Sequence, residues 1–357
     1  MINQKEINIE WINQVSKENK NADKILVEKV IRALLLLEGL AKQQVEFTFK
    51  GGTALLLHFN STKRLSIDID IVLPEENKDL DSLLEKLVKE QGFLRKELQN
   101  RSTTTQITKS HFKFFYTPSY KTNKEEDYVL LDILFEKANY QNIVQLPINS
   151  KFVRIIDKPL LVNVPSLEDI LGDKLTAFAP NTTGIPYFKN GHSMSMEIIK
   201  QLYDIANLFD KAENLEVIKT TFTQFAETEL KYRASKGLNK KDVIEDIYQT
   251  ALSIASKGID GKGDFEQLQL GIQRIKSFIF SESYNIEKAI ISASKVAYLA
   301  TLILHDAEKI EKYSNPLQMK DWMLDKAINN KLNKLKKSNP EAFFYWYKIY
   351  KLKTEAN

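Results

Sequence analysis

From Ala22 to Gln43, the apolar residues Ile25, Leu26, Val30, Ala33, Leu34, Leu37 and Leu40 recur at helical spacing with no internal proline, which predicts a helix. Val45 to Lys50 then alternates as a strand. Gly51-Gly52 breaks it, and Thr53 opens a short apolar segment, Ala54 to Phe59, suited to a second helix. Ser66 to Leu73 sets Ile67, Ile69 and Ile71 against Ser66, Asp68 and Asp70, predicting a strand that Pro74 ends and whose two aspartates leave one face. Asp79 to Glu90 has the pattern of an amphipathic helix. Thr103 to Tyr116 and Tyr128 to Phe135 have the aromatic and β-branched content of strands, with Lys121 to Asp127 as the turn between them. From Ser166 onward helical patterns dominate, interrupted by a loop at Gly258 to Gly263 and without a repeat of fixed period. The expected fold is α+β: a domain with a mixed sheet and N-terminal helices over 1–163, then a mainly helical domain over 164–357.

A length of 357 residues suits two cores better than one. With 43% hydrophobic and 27% charged residues, 12 Gly and 9 Pro, the composition excludes disordered, collagenous and low-complexity chains. Cysteine is absent, which removes disulfides, thiolate metal sites and cysteine nucleophiles from consideration. The apolar run Ala33 to Leu37 stops at Glu38, far short of the roughly 18 residues of a membrane helix. Met1 to Lys20 lacks the basic-then-apolar order of a signal peptide, so the expected location is the cytoplasm. Net charge is +4, but Lys331 to Lys353 carries seven Lys against one Glu, so the basicity is local.

Candidate chemistry concentrates around Arg64 to Asp70. Two carboxylates at i and i+2 on a strand repel unless a cation sits between them, and hard oxygen ligands suit magnesium, which retains waters and substrate phosphates. A solvated strand face is the competing reading. Gly51-Gly52-Thr53, between strand and helix, lets a backbone approach a phosphate at free N–H groups, with Thr53 able to cap the helix or bond phosphate oxygen. It matches neither a P-loop nor a dinucleotide fingerprint. The histidines, His58, His111, His192 and His305, show no zinc spacing and receive no role.

Taken together, Gly51-Gly52-Thr53-Ala54-Leu55 and Arg64-Leu65-Ser66-Ile67-Asp68-Ile69-Asp70 resemble the nucleotidyltransferase superfamily, specifically the AbiEii/AbiGii toxin branch that includes the MenT toxins. The resemblance implies a polymerase-β-like domain followed by helices. It further implies that Asp68 and Asp70 bind Mg2+, that Gly51, Gly52 and Thr53 cradle the triphosphate of an NTP, and that Ser66 and the basic Arg64 face phosphate. Asp132, in Val129-Leu-Leu-Asp-Ile-Leu-Phe135, is the expected third carboxylate, as metal ligand or base; an edge position is its plain alternative. Lys174, in Lys-Leu-Thr-Ala-Phe178, resembles the family's lysine motif and would neutralise charge moving to pyrophosphate. Asp204, in Leu202-Tyr-Asp-Ile-Ala-Asn-Leu208, resembles the final motif and would position Lys174 or the nucleotide. Where the commonest family form has an Arg and a Lys-Asp pair before this helix, the chain has Glu197 and Lys200.

The resemblance implies nucleotide transfer to an acceptor hydroxyl, with RNA and tRNA 3′ ends as the expected acceptor. It also implies arrest of translation, phage defence and a cognate antitoxin. A protein hydroxyl as acceptor and a non-catalytic nucleotide- or RNA-binding module are the alternatives. Ala179 to Tyr187, with two prolines and a glycine, is expected to form a loop, over the nucleotide or as a plain connector. The basic tail interleaves its lysines with Phe343, Phe344, Tyr345, Trp346, Tyr347 and Tyr350. This fits either base stacking with phosphate attraction or a helix packing its aromatics inward.

Overall fold

The computed structural model describes residues 1–59, 63–76, 79–99, 109–120, 125–233, 235, 237–325 and 330–355. The chain divides into two units, the first comprising Met1–Ser166 with the returning segment Ser277–Ser283, the second Leu167–Lys276 with Tyr284–Asn357.

In the first unit, α1 (Ile9–Glu18) leads to α2 (Lys24–Lys42). Asp23 caps α2 by accepting a hydrogen bond from the Leu26 amide at 3.0 Å. The helix is buried nearly all round from Val27 to Leu40, as an apolar helix at the centre of a core must be. Ile25, part of the predicted stripe, lies instead exposed in its first turn. Two carboxylates enter this core with partners, which is the condition for burying them. Glu28 accepts from the Ser119 amide and hydroxyl, and Glu38 accepts from the Ile2 amide at 2.6 Å and pairs with Lys42 at 2.9 Å.

The sheet follows, as β1 (Thr48–Lys50), α3 (Gly51–Phe59), β2 (Ile69–Leu73), α4 (Leu80–Glu90), β3 (Arg95–Leu98), β4 (Lys109–Tyr116), β5 (Asp127–Phe135), β6 (Ile143–Pro147) and β7 (Leu161–Pro165). Among the described residues seven strands form one mixed sheet in the order β3-β4-β5-β2-β1-β7-β6, with β2–β5 and β1–β7 parallel. Alternation sends Phe49, Ile69, Ile71, Phe112, Phe114, Val129, Leu131 and Ile133 into the core. α2 packs against β2 and β5. β2 is shorter than predicted because β1 stops at Lys50, where the chain turns into α3, so Ser66 to Asp68 lead into β2 without a ladder. Of the predicted strand 103–116, residues 109–116 form β4, and 103–108 lie outside the described residues, as do 121–124 of the predicted turn.

The second unit is built from α5 (Leu167–Ala177), a two-residue hairpin of β8 (Phe188–Lys189) and β9 (His192–Ser193), α6 (Ser195–Phe209), α7 (Leu215–Tyr232), α8 (Lys240–Ala255), α9 (Phe265–Arg274), α10 (Ile286–Leu304), α11 (Leu335–Ser338) and α12 (Pro340–Glu355). α10 is its central helix, packed by α8, α12 and α6 and buried along most of its length. Its Lys295 is buried and pairs with Asp210 at 2.7 Å and Glu341 at 2.8 Å.

α12 decides between the two readings of the basic tail for most of its aromatics. Phe343, Phe344, Tyr345 and Trp346 are buried, so these four rings are core and unavailable to nucleic-acid bases, while the half-buried Tyr347 stacks on the half-buried Trp322 with ring centroids 4.2 Å apart. Lys331, Lys334, Lys337 and Lys351 remain exposed.

The predicted loop after α5 is fastened within this unit. Asp246 on α8 accepts from the Asn181 amide at 2.8 Å, the Asn181 side chain at 2.7 Å and the Thr182 hydroxyl at 2.9 Å, and Arg233 donates to the Gly184 carbonyl at 2.7 Å. Burial raises the Asp246 pKa above the usual carboxylate value even though these bonds act to lower it. Among the described residues no helix is long and apolar enough to cross a membrane.

Candidate active site

The register of four strands sets a rank of polar side chains across the face opposite the apolar core. Lys50 on β1 stands opposite Asp70 on β2, Asp70 opposite Asp132 on β5, and Asp132 opposite His111 on β4. Residues directly opposite in a ladder leave the same face, on strands about 4.8 Å apart. Two carboxylates therefore sit side by side in the middle of the sheet, flanked by one lysine and one histidine. β5 lies between β4 and β2, so Asp132 is an interior position and not an edge. Asp68 precedes Asp70 by two residues and, like it, is half-buried, while Ile69 between them is fully buried. This is the pattern expected of a pair leaving one face.

The glycine turn lies against these groups. α3 begins at Gly51, two residues before the predicted start, and Gly51 has φ +80°, a conformation that side chains disfavour. A Cβ on Gly51 would overlap the Asp70 carboxylate, so that carboxylate rests on the bare backbone of the turn. A Cβ on Gly52 would come 2.6 Å from the Ser66 hydroxyl and 2.7 Å from an Arg64 Nη. The first turn of α3, Arg64, Ser66 and Asp70 thus share one small space, which brings a helix N-terminus and a guanidinium, both favourable to phosphate, beside a carboxylate. Gly51→Ala is expected to cost about 1–2 kcal/mol from the backbone alone, read as a lower midpoint in chemical denaturation.

Thr53 corrects the sequence reading. Its side chain is fully buried and its hydroxyl donates to the Asp68 carbonyl at 2.6 Å, so it neither caps the helix nor presents that hydroxyl to a phosphate. Its work is to pin the segment that carries both aspartates to the first turn of α3. Thr53→Val preserves shape and removes this bond, and is expected to lower stability by roughly 1–3 kcal/mol, because the Asp68 carbonyl loses its partner; urea titration of the variant measures it.

His111 is the residue that sequence reasoning missed. Its Nδ1 donates to Asp132 Oδ1 at 2.7 Å. The available signal was its place in the alternation of β4, opposite the buried Phe112 and Phe114, but that pattern does not say which strand lies alongside. His58 instead bonds the Pro165 carbonyl at 2.8 Å.

In the second unit, Lys174 on α5 pairs with Asp204 on α6 at 2.9 Å, with side chains only 9% and 4% exposed, and Lys174 also donates to the Gln201 side chain at 3.1 Å. The motif partnership of Lys174 and Asp204 is therefore a buried ion pair. Lys200 and Glu197, ahead of Asp204 on the same helix, pair with each other at 3.1 Å.

Among the described residues, no three His, Asp or Glu side chains converge closely enough to cage a metal ion by themselves. Magnesium does not require such a cage, since one or two carboxylates with substrate phosphates and waters complete its shell. Asp70 and Asp132 in register, beside the bare-backbone turn at Gly51, fit that donor set.

A family model described as nucleotidyl transferase AbiEii toxin, type IV toxin–antitoxin system, matches residues 35–281. No curated protein sequence matches the chain. Among solved structures, the chain is similar to JHP933 from Helicobacter pylori, at 16% identity and a TM-score of 0.42, covering 77% of this chain and 89% of that one. It is similar also to a candidate nucleotidyltransferase from H. pylori, at 17% identity and a TM-score of 0.43, covering 82% and 100%. These structural likenesses are remote, whereas the family match takes in the glycine turn, the paired aspartates, Asp132 and the Lys174–Asp204 pair. On that match the chain belongs to the AbiEii family of nucleotidyltransferase toxins, enzymes of type IV toxin–antitoxin systems.

Proposed function

We propose that this toxin is a magnesium-dependent nucleotidyltransferase that moves NMP from an NTP to a hydroxyl on RNA, with the 3′ end of tRNA as the acceptor. The observation that supports it most is the register of Asp70 beside Asp132, with the Asp70 carboxylate resting on the Gly51 backbone. Asp70 and Asp132 would hold magnesium, which when bound would offset negative charge on the phosphates, and Asp68 enters as a further ligand on its motif alone. The first turn of α3, with Gly51 and Gly52, receives the triphosphate, and Arg64 and Ser66 bond its oxygens. The acceptor oxygen forms a bond to the α-phosphorus as the bond from that phosphorus to the β-phosphate oxygen breaks, and pyrophosphate leaves in line. Asp132 takes the hydroxyl proton. Lys174 and Asp204 enter this reading on their motifs alone, Lys174 as the cation that neutralises the leaving group.

Modification of tRNA 3′ ends blocks aminoacylation and stops translation, which suits a cytoplasmic toxin held in check by a cognate antitoxin and released during phage infection. The acceptor is tested by incubating the protein with magnesium, total bacterial RNA, bacterial protein extract and each α-labelled NTP, then separating RNA from protein. Label in tRNA-sized RNA is the expected result, and the NTP that gives it names the donor. Label in protein would replace RNA by a protein hydroxyl as acceptor, and no label in either would remove the catalytic reading.

A further inference from the structure

The contact between His111 and Asp132 is not required by the fold as a hydrogen bond alone. β4 and β5 are already paired along eight positions by their backbones, and Phe112 and Phe114 on β4 face the core. His111 faces the other way, into the rank that holds Asp70 and Asp132, and its side chain is 14% exposed. Among the described residues its Nδ1 is the one hydrogen-bond donor to the Asp132 carboxylate, at 2.7 Å from Oδ1, which leaves the two lone pairs of Oδ2 for a cation and for the proton of the acceptor hydroxyl. A carboxylate on an extended strand is otherwise able to rotate about its side-chain torsions, and a fixed donor on the next strand selects one orientation.

We propose that His111 is a positioning residue for the metal-binding carboxylates: by donating from Nδ1 to Oδ1, it turns Oδ2 of Asp132 toward the divalent cation shared with Asp70. The inference rests on the nucleotidyltransferase reading above and adds to it a residue outside the carboxylate, glycine and lysine motifs. Partners of this kind, one bond removed from a metal, commonly change metal affinity or activity by about 10–100-fold when lost. The role depends on where the donor sits, not on the charge of the ring. Asn places its amide nitrogen close to the position of Nδ1, whereas Gln places it one carbon further out.

The test uses the full chain with a non-hydrolysable NTP analogue and manganese as a paramagnetic magnesium substitute, reading bound Mn2+ by electron paramagnetic resonance, with the Mg2+ concentration for half-maximal transfer read in parallel. His111→Leu and His111→Gln are expected to weaken Mn2+ binding about tenfold or more and to raise the magnesium requirement similarly. His111→Asn is expected to stay within about threefold of wild type in both. Asn and Gln variants of equal thermal stability separate donor position from a general effect on folding. Equal Mn2+ affinity in all four proteins, or Asn and Gln falling together, would overturn the positioning role while leaving the transferase reading intact. Wild-type protein that binds no Mn2+ with the analogue and transfers no nucleotide would overturn both.

Discussion

Asp70→Asn folds as the wild type and transfers nucleotide about 10³-fold more slowly. The substitution keeps the size of the side chain, which lies against the bare backbone of Gly51. What it removes is a negative charge in the middle of the rank. A metal-held phosphoryl group draws several kcal/mol of transition-state stabilisation from its ligands, and each 1.36 kcal/mol is a factor of ten in rate. Losing one of two registered carboxylates thus costs about three decades on this scale. Circular dichroism and a denaturant midpoint near the wild-type value establish that the fold survives. A loss below tenfold, from folded protein, would remove Asp70 from the site.

Lys174→Met destabilises the second unit by about 3–5 kcal/mol, because it removes one member of a buried ion pair with Asp204. The pair is 2.9 Å apart and both side chains are almost fully enclosed by α5 and α6, so solvent screening does little to reduce the loss. Replacing both members by apolar residues, in Lys174→Met with Asp204→Leu, recovers most of that stability, since a buried ion pair is often no better than a well-packed apolar one. Chemical denaturation of the three proteins measures the cycle. If the pair were only structural, the double variant would also recover nucleotide transfer. The motif reading expects the opposite: a stable protein that still transfers at least about tenfold more slowly, for want of the cation that stabilises the leaving group.

The difference between what the sequence announces and what the fold adds can be followed along the rank. Asp68 and Asp70 are legible because each breaks an isoleucine alternation, and Asp132 because it is the sole charge between Leu131 and Ile133. Alternation gives the face of a residue; it does not give the neighbouring strand. That Asp132 stands next to Asp70, and His111 next to Asp132, depends on a sheet order in which β5 slots between β4 and β2, a choice made by core packing of Phe112, Leu131 and Ile69. Thr53 illustrates the reverse error. A hydroxyl at a glycine turn reads as a phosphate ligand or cap, yet once α3 begins at Gly51 it faces inward, and its best partner is the Asp68 carbonyl. The aromatic run of α12 is equally ambiguous in one dimension, because stacking on bases and packing in a core call for the same residues; the packing of α12 on α10 is what puts Phe343 to Trp346 inside. The return of Ser277–Ser283 to the first unit, where the Leu65 amide donates to the Phe278 carbonyl at 2.8 Å, has no composition signal at all.

The most direct test of the central claim follows the two ends of the same substrate. Purified wild-type protein and Asp70→Asn are incubated with magnesium, bacterial RNA and NTP labelled at either the α- or the γ-phosphate, and acid-insoluble label is counted against released pyrophosphate. Nucleotidyl transfer at the Asp70–Asp132 rank predicts α-label in the acceptor, γ-label in pyrophosphate in equal amount, and neither from Asp70→Asn or after chelation of the metal. Transfer of γ-label to the acceptor, or α-label transfer that Asp70→Asn retains, would contradict it.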